Sequence, residues 1–311
     1  MDEFALIRRH FAGLTPQGDG VVLGVGDDAA VLQPVSGCEL VVTSDTLVAG
    51  RHFPAETAAG DIGWKSLAVN LSDLAAMGAR PRWFTLALTL PDADDTWLAA
   101  FAAGLRTLAD AHGVALVGGD TTRGPLSITI TALGEVPTGQ VLRRDGARPG
   151  DAICVTGTLG DAALALQQGS AADATLRARL DRPTPRIDAG LSLRGLAHAA
   201  LDLSDGLFGD LRHILDASRV GAVLEVDALP MSPAFRAAAA AAASRCALQL
   251  AGGDDYELCV CLPADAVDRA AARLDVPLTR VGRITAEPQL CLVDAAGHTI
   301  TPSFTAYRHF P

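Results

Sequence analysis

The chain reads as an α+β protein of two domains, on three observations. Its 311 residues exceed what one ordinary hydrophobic core holds. Both halves mix half-buried strands, amphipathic helices and antiparallel hairpins, unlike the strict strand–helix alternation of a doubly wound sheet. Residues 137–150 gather Gly, Pro and Arg between two periodic stretches. That composition places a boundary there and gives domains 1–137 and 150–311.

In the first half, Phe4, Ile7 and Phe11 stand at helical spacing. Strands are expected at 21–25, 29–32 and 39–43, the last delivering Ser44 and Asp45 to its end. Apolar periodicity over 61–77, stopped by Gly78, predicts a helix; 83–90, stopped by Pro91, predicts a strand. A second amphipathic helix is expected at 95–112, with Gly113 as its C-cap. Residues 114–117 then lead into Gly118-Gly119-Asp120, and 126–136 alternates as a half-buried strand. In the second half the expected elements are strand 152–156, helix 160–168, a polar stretch holding Pro183 and Pro185, and helix 187–197. Strand 199–203, helix 206–218, strand 222–226, an Ala-rich helix over 235–245, strand 256–262, helix 265–274 and closing strands follow.

A formal charge of -11 argues against nucleic acid or an anionic membrane as partner, since either needs clustered Lys and Arg. It admits a phosphorylated ligand only where divalent cations stand between carboxylate and phosphate. Lys65 is the only lysine and follows Trp64 inside a helical pattern, so no Gly-Lys-Ser/Thr loop of the P-loop type exists. None of the six cysteines forms a C-x-x-C pair, which suits buried small hydrophobes in a reducing compartment. An acidic start, Met1-Asp2-Glu3-Phe4, and the lack of any membrane-length apolar run make the cytoplasm the expected location.

The chemistry is expected from acidic groups set among glycines and hydroxyls: Gly26-Asp27-Asp28, Thr43-Ser44-Asp45, Gly118-Gly119-Asp120, Asp202-Leu203-Ser204-Asp205-Gly206 and Gly252-Gly253-Asp254-Asp255. Each alone reads more simply as an ordinary turn. Their recurrence at the ends of apolar runs favours a hard cation, and Mg²⁺ suits carboxylate, water and phosphate oxygens. On the helix over 61–77, Ser66, Asn70 and Asp73 stand at i, i+4 and i+7. Such a stripe is usually a solvated face. Here the neighbours are so apolar that the helix should be buried, and a buried acid needs a cation or water opposite it. Arg143, Arg144 and Arg148 form either a solvated basic patch or a phosphate clamp.

Together these strings resemble the thiamine-monophosphate kinase family, within the superfamily that also holds aminoimidazole ribonucleotide synthetase. The resemblance runs from Phe4 to Tyr307 and rests on Gly24–Asp28, Thr43–His52, Lys65–Gly78, Gly118–Leu126, Asp202–Leu207 and Gly252–Leu258. It implies transfer of the γ-phosphoryl group of ATP onto thiamine monophosphate, an N-terminal sheet forming a barrel across a homodimer, and a nucleotide cleft between domains. It implies metal ligation by Asp28, Thr43, Ser44, Asp45, Asp73, Asp120, Asp202 and Asp205, with several Mg²⁺ ions, and catalytic roles for Asp45, Asp73 and Asp120. Gly119, Asp120, Arg144 and Ser204 match nucleotide positions; His52, Asp254 and Tyr307 match acceptor positions. Asp254 and Tyr307 depart from the residues expected there, and no residue corresponds to an adenine-stacking aromatic. Rival readings are another ATP-using synthetase of the superfamily and a non-catalytic divalent-ion module; the latter would be favoured by an EF-hand spacing, which is absent.

Overall fold

The computed structural model describes residues 9–14, 20–239, 242–302 and 304. The start of the expected N-terminal helix, with Phe4 and Ile7, lies outside them. Two compact units form: Met1–Leu74 with Ala79–Gly139, and Ala75–Gly78 with Gln140–Pro311.

In the first unit, a small antiparallel pair, β1 (Val21–Leu23) and β2 (Val31–Leu32), precedes β3 (Cys38–Val48), helix α1 (Ala59–Ala76), β4 (Arg80–Leu90), helix α2 (Asp95–His112), β5 (Ala115–Arg123) and β6 (Ser127–Pro137). Strand order is β3-β6-β4-β5; the crossover through α2 makes β4 and β5 parallel, and the remaining pairs are antiparallel. Phe84, Leu86, Leu88 and Leu90 of β4 and Ile128, Ile130 and Ala132 of β6 are buried at alternate positions, giving one core face. Helix α2 starts where the Asp94 carboxylate accepts the N–H groups of Thr96 and Trp97, and ends at Gly113 in the left-handed region. The two helices pack closely enough that only glycine fits: a Cβ on Gly104 would stand 1.8 Å from the Gly60 carbonyl oxygen, and one on Gly63 would stand 2.1 Å from that of Phe101.

Two expectations change here. Strand β3 does not stop at residue 43; it runs through Ser44 and Asp45 to Val48, paired with β6 throughout. Gly118-Gly119-Asp120 likewise lies inside β5, paired with β4. Polar and glycine residues that read as turn formers are carried in the ladder, because their neighbours on both sides supply the pairing and the buried face.

The second unit is a seven-stranded mixed sheet, order β13-β12-β9-β11-β7-β10-β8, formed by β7 (Ala152–Thr156), β8 (Ala199–Asp202), β9 (Gly221–Glu225), β10 (Leu258–Leu262), β11 (Leu278–Thr285), β12 (Leu290–Val293) and β13 (Thr299–Ile300). Its helices are α3 (Asp161–Gln168), α4 (Ala174–Asp181), α5 (Ile187–Leu193), α6 (Leu207–Ser218), α7 (Pro233–Ala238), α8 (Ala242–Ala251) and α9 (Val267–Ala271). Leu207, Leu211 and Ile214 of α6 lie in one core with Ile153, Val155 and Leu201 of the sheet. The Ala-rich stretch gives two helices, α7 and α8, and the polar stretch after α3 holds the unexpected α4. All six cysteines are free, with Cys154, Cys259 and Cys261 buried. No helix among the described residues is long and apolar enough to cross a membrane.

Candidate functional site

In the first unit the polar stripe of α1 meets β3. The Thr43 hydroxyl donates to Asp73 Oδ2, and the Asp45 N–H donates to Asn70 Oδ1 at 3.2 Å. Ser66 donates to its own helix at the Ile62 carbonyl, 2.7 Å, and the Asn70 amide donates to the Ser66 carbonyl, 3.1 Å. Ser66 is thereby spent inside the helix, while Asn70 and Asp73 reach the strand. Alternation puts Ser44 and Thr46 on the opposite, exposed face of the sheet, where their hydroxyls pair across to Thr131 at 2.9 Å and Thr129 at 2.8 Å on β6. Burial, then the charge of Asp73 and a hydrogen bond with it, push the Asp45 carboxyl up to about 6.

The donors gathered here, the carboxylates of Asp45 and Asp73 and the Thr43 hydroxyl, are hard oxygens around mutually repelling negative charge. They fit Mg²⁺, which takes one or two carboxylates and completes its shell with water and phosphate oxygens. Among the described residues no three His, Cys, Asp or Glu side chains form a ready-made metal cage. Gly119 and Asp120 stand apart from this pair. Gly119 shares a row with Leu86, Ile130 and Asp45 across the sheet, three strands away or roughly 14 Å; exposed Asp120 follows it in the next row. Gly119 has φ 151°, and a Cβ there would lie 1.8 Å from the Leu86 carbonyl oxygen, so no other residue fits. Asp28 is exposed on a bend, its N–H bonded to Asp27 Oδ1 at 2.8 Å. His52 Nδ1 accepts the Val48 N–H at 3.0 Å, closing the turn after β3.

In the second unit two sequence strings are clasped together. The loop from Asp202 to Gly206 joins β8 to α6, and the segment from Gly252 to Glu257 joins α8 to β10. Beyond the β8–β10 ladder, Leu203 N–H bonds the Glu257 carbonyl at 2.8 Å, Tyr256 N–H the Leu203 carbonyl at 2.8 Å and Asp254 N–H the Ser204 carbonyl at 2.9 Å. Asp202, Ser204, Asp205 and Asp254 are thus brought into one place. The N–H groups of Ser204 and Asp205 both donate to Asp210 Oδ2 at 3.0 Å. Burial pushes the Asp210 carboxyl up to about 7; the backbone donors oppose that shift and the Asp205 charge adds to it.

Two acids of the second string face inward. Asp255 Oδ1 accepts the Gly160 N–H at 2.9 Å, and burial raises its carboxyl well above the ordinary range. Glu257, fully buried, accepts from Thr156 Oγ1 at 2.7 Å, Arg179 at 2.7 Å and both arms of Arg186 at 2.6 and 2.5 Å. Arg143 is taken up by Asp145 through two bonds of 2.8 and 2.7 Å. Exposed Arg144 is left at the surface, its carbonyl held by the Ser218 hydroxyl at 2.8 Å, while Ser218 also accepts the Ala147 N–H at 3.1 Å. Tyr307 lies outside the described residues.

Sequence reading missed Asp210 and Tyr256. The first carries a signal in hindsight, an acid in the first turn of α6 whose amide neighbours are the motif itself. The second is hidden because a tyrosine entering an apolar run reads as packing.

The AIR synthase related protein family matches through its N-terminal domain at residues 26–136 and its C-terminal domain at 148–294. Thiamine-monophosphate kinase of Escherichia coli (strain K12) is 47% identical over 321 aligned positions, spanning 99% of this chain and 98% of that protein. The crystal structure of thiamine-monophosphate kinase from Stenotrophomonas maltophilia K279a superposes with a TM-score of 0.88 at 52% identity, over 96% of this chain and 98% of that one. A structure described as AaThiL complexed with AMPPCP and TMP superposes with a TM-score of 0.77 at 28% identity, over 99% and 97%. With matches of this length and identity, the chain belongs to the thiamine-monophosphate kinase family of AIR synthase related proteins.

Proposed function

We propose that the chain moves the γ-phosphoryl group of ATP directly onto thiamine monophosphate, giving thiamine diphosphate and ADP. The observation that carries this reading is similarity along almost the whole chain to thiamine-monophosphate kinases, one of which is described in complex with AMPPCP and TMP.

The acceptor is a phosphate oxygen, already ionised at neutral pH, so the protein needs no strong base. It must hold two anions in line and offset the charge between them. Mg²⁺, when bound, supplies that neutralisation. Asp45 and Asp73 would hold it with the hydroxyls of Thr43 and Ser44, and Asp28, Asp120, Asp202 and Asp205 would complete the acidic set of the two units. Gly119, on edge strand β5, contacts nucleotide together with Asp120, Ser204 and Arg144. Arg144 suits a phosphate because its neighbour Arg143 is already neutralised. His52, Asp254 and Tyr307 serve the acceptor.

The same reading assigns metal and nucleotide binding and dimerisation to residues 1–137, the nucleotide to a cleft between domains, and the cytoplasm as location. A homodimeric barrel is supported by edge strand β3, whose outward Leu40 and Val42 are 47% and 59% exposed.

The test is incubation with Mg-ATP and either thiamine or thiamine monophosphate. Diphosphate formed from the monophosphate alone is the expected result; no diphosphate from either overturns the proposal.

A further inference from the structure

The segment from Asp254 to Glu257 divides its side chains by alternate position. Asp255 and Glu257 are 2% and 0% exposed and are bonded inside the second unit, to the Gly160 N–H and to Thr156, Arg179 and Arg186. Asp254 and Tyr256 bond each other instead: the phenol donates to Asp254 Oδ1 at 3.0 Å. Both have left-handed backbone, φ 66° and 49°, in residues that have a Cβ to accommodate. Such a conformation persists only where its surroundings over-determine it. Here the amides of both residues are pinned to the carbonyls of Ser204 and Leu203, and the inward acids anchor either side.

A phenol 8% exposed is held by its packing, so its hydroxyl is a fixed donor. A short aspartate on an otherwise free backbone would rotate; this one is fixed at the Cα by strained, bonded backbone and at the carboxylate by the phenol. The charge-assisted bond selects one orientation of the carboxylate beside Ser204 and Asp205. An oriented carboxylate suits an acceptor that carries a cationic ring and an amino group, as thiamine monophosphate does, and has no affinity for the phosphates of ATP.

We propose that Tyr256 is a positioning residue for the phosphoryl acceptor, acting by fixing the carboxylate of Asp254. The inference rests on the kinase reading above and adds to it a residue that serves one substrate and not the other.

Tyr256→Phe removes only the hydroxyl. Steady-state kinetics on the full chain should show the KM for thiamine monophosphate rising about tenfold, from loss of one hydrogen bond to a charged group. The KM for Mg-ATP and kcat should stay within about twofold, and the thermal midpoint should hold. Asp254→Asn should give a similar selective rise, and the double variant should be no worse than Asp254→Asn alone, since the phenol acts through that carboxylate. An unchanged acceptor KM in Tyr256→Phe overturns the inference. So does a parallel rise in both KM values, which marks general loosening of the loop, or a double variant whose losses simply add. Wild-type protein that makes no diphosphate defeats the kinase reading and this inference with it; active wild type with an indifferent Tyr256→Phe defeats the inference alone.

Discussion

Asp45 in the first unit and Glu257 in the second are both acids on or beside a strand, yet their surroundings are opposite. Glu257 is fully buried and meets two arginines and a threonine hydroxyl. Asp45 is partly buried and faces another carboxylate, and burial and that neighbour raise its pKa. Burial of charge is tolerated when the protein itself supplies the countercharge. The second unit does so for Glu257, which is therefore structural. The first unit sets Asp45 against the like charge of Asp73, a repulsion that the Mg²⁺ proposed above would offset.

The comparison breaks first at Glu257. Glu257→Gln leaves Arg179 and Arg186 adjacent, part-buried and without the carboxylate they both bond, with Asp255 and Asp275 as further acids near them, and removing one partner from a buried ion pair costs about 3–5 kcal/mol. The variant should show a large loss in denaturant midpoint with an unchanged m-value. A loss below about 1 kcal/mol would mean that the arginines find other partners and that Glu257 is not the keystone of this cluster.

Asp45→Asn acts in the other direction. It removes repulsion from Asp73 and keeps the backbone N–H that bonds Asn70, so the fold should survive intact. Turnover should fall by two to three orders of magnitude, roughly 3–4 kcal/mol of lost charge stabilisation around the transferring group. Near-wild-type turnover at saturating Mg-ATP would remove Asp45 from the catalytic set. Loss of turnover accompanied by unfolding would make it structural, like Glu257.

The same contrast explains what the sequence made legible. Helix α1 was readable from its apolar periodicity, and so was the stripe that joins Asn70 and Asp73 to β3, because periodicity is local. Glu257 was not, since its partners Thr156, Arg179 and Arg186 lie 101, 78 and 71 positions away. Helix α4 was hidden by its charges, although Asp173 caps it and Leu176 and Leu180 bury one face at i, i+4. Asn70-Leu71-Ser72-Asp73 and Asp202-Leu203-Ser204-Asp205 are similar strings, one in each half. One string is the interior of α1, and the other leaves β8 for a loop. The first is carried inside a helix already under way, whereas the second follows a fully buried strand, and Gly206 at φ 104° opens α6 only after it.

The smallest effect is also the sharpest discriminator, because it reads the charge deficit without catalysis. A carboxyl at 3.8 in the unfolded chain and at about 6 in the folded one binds more protons when folded throughout that interval. Ion-free protein should therefore lose stability as pH rises from about 4 to about 6, by at most about 3 kcal/mol from this group. Asp210, raised to about 7, contributes a slope of the same sign that extends higher. The difference between wild type and Asp45→Asn isolates the first term: the variant should gain stability relative to wild type across pH 4–6 and hold a constant advantage above it. Added Mg²⁺ should close that gap at pH 7 by stabilising wild type alone. A difference that stays flat with pH, or Mg²⁺ that stabilises both proteins equally, would show that Asp45 carries no charge deficit in the fold, and its contrast with Glu257 would be lost.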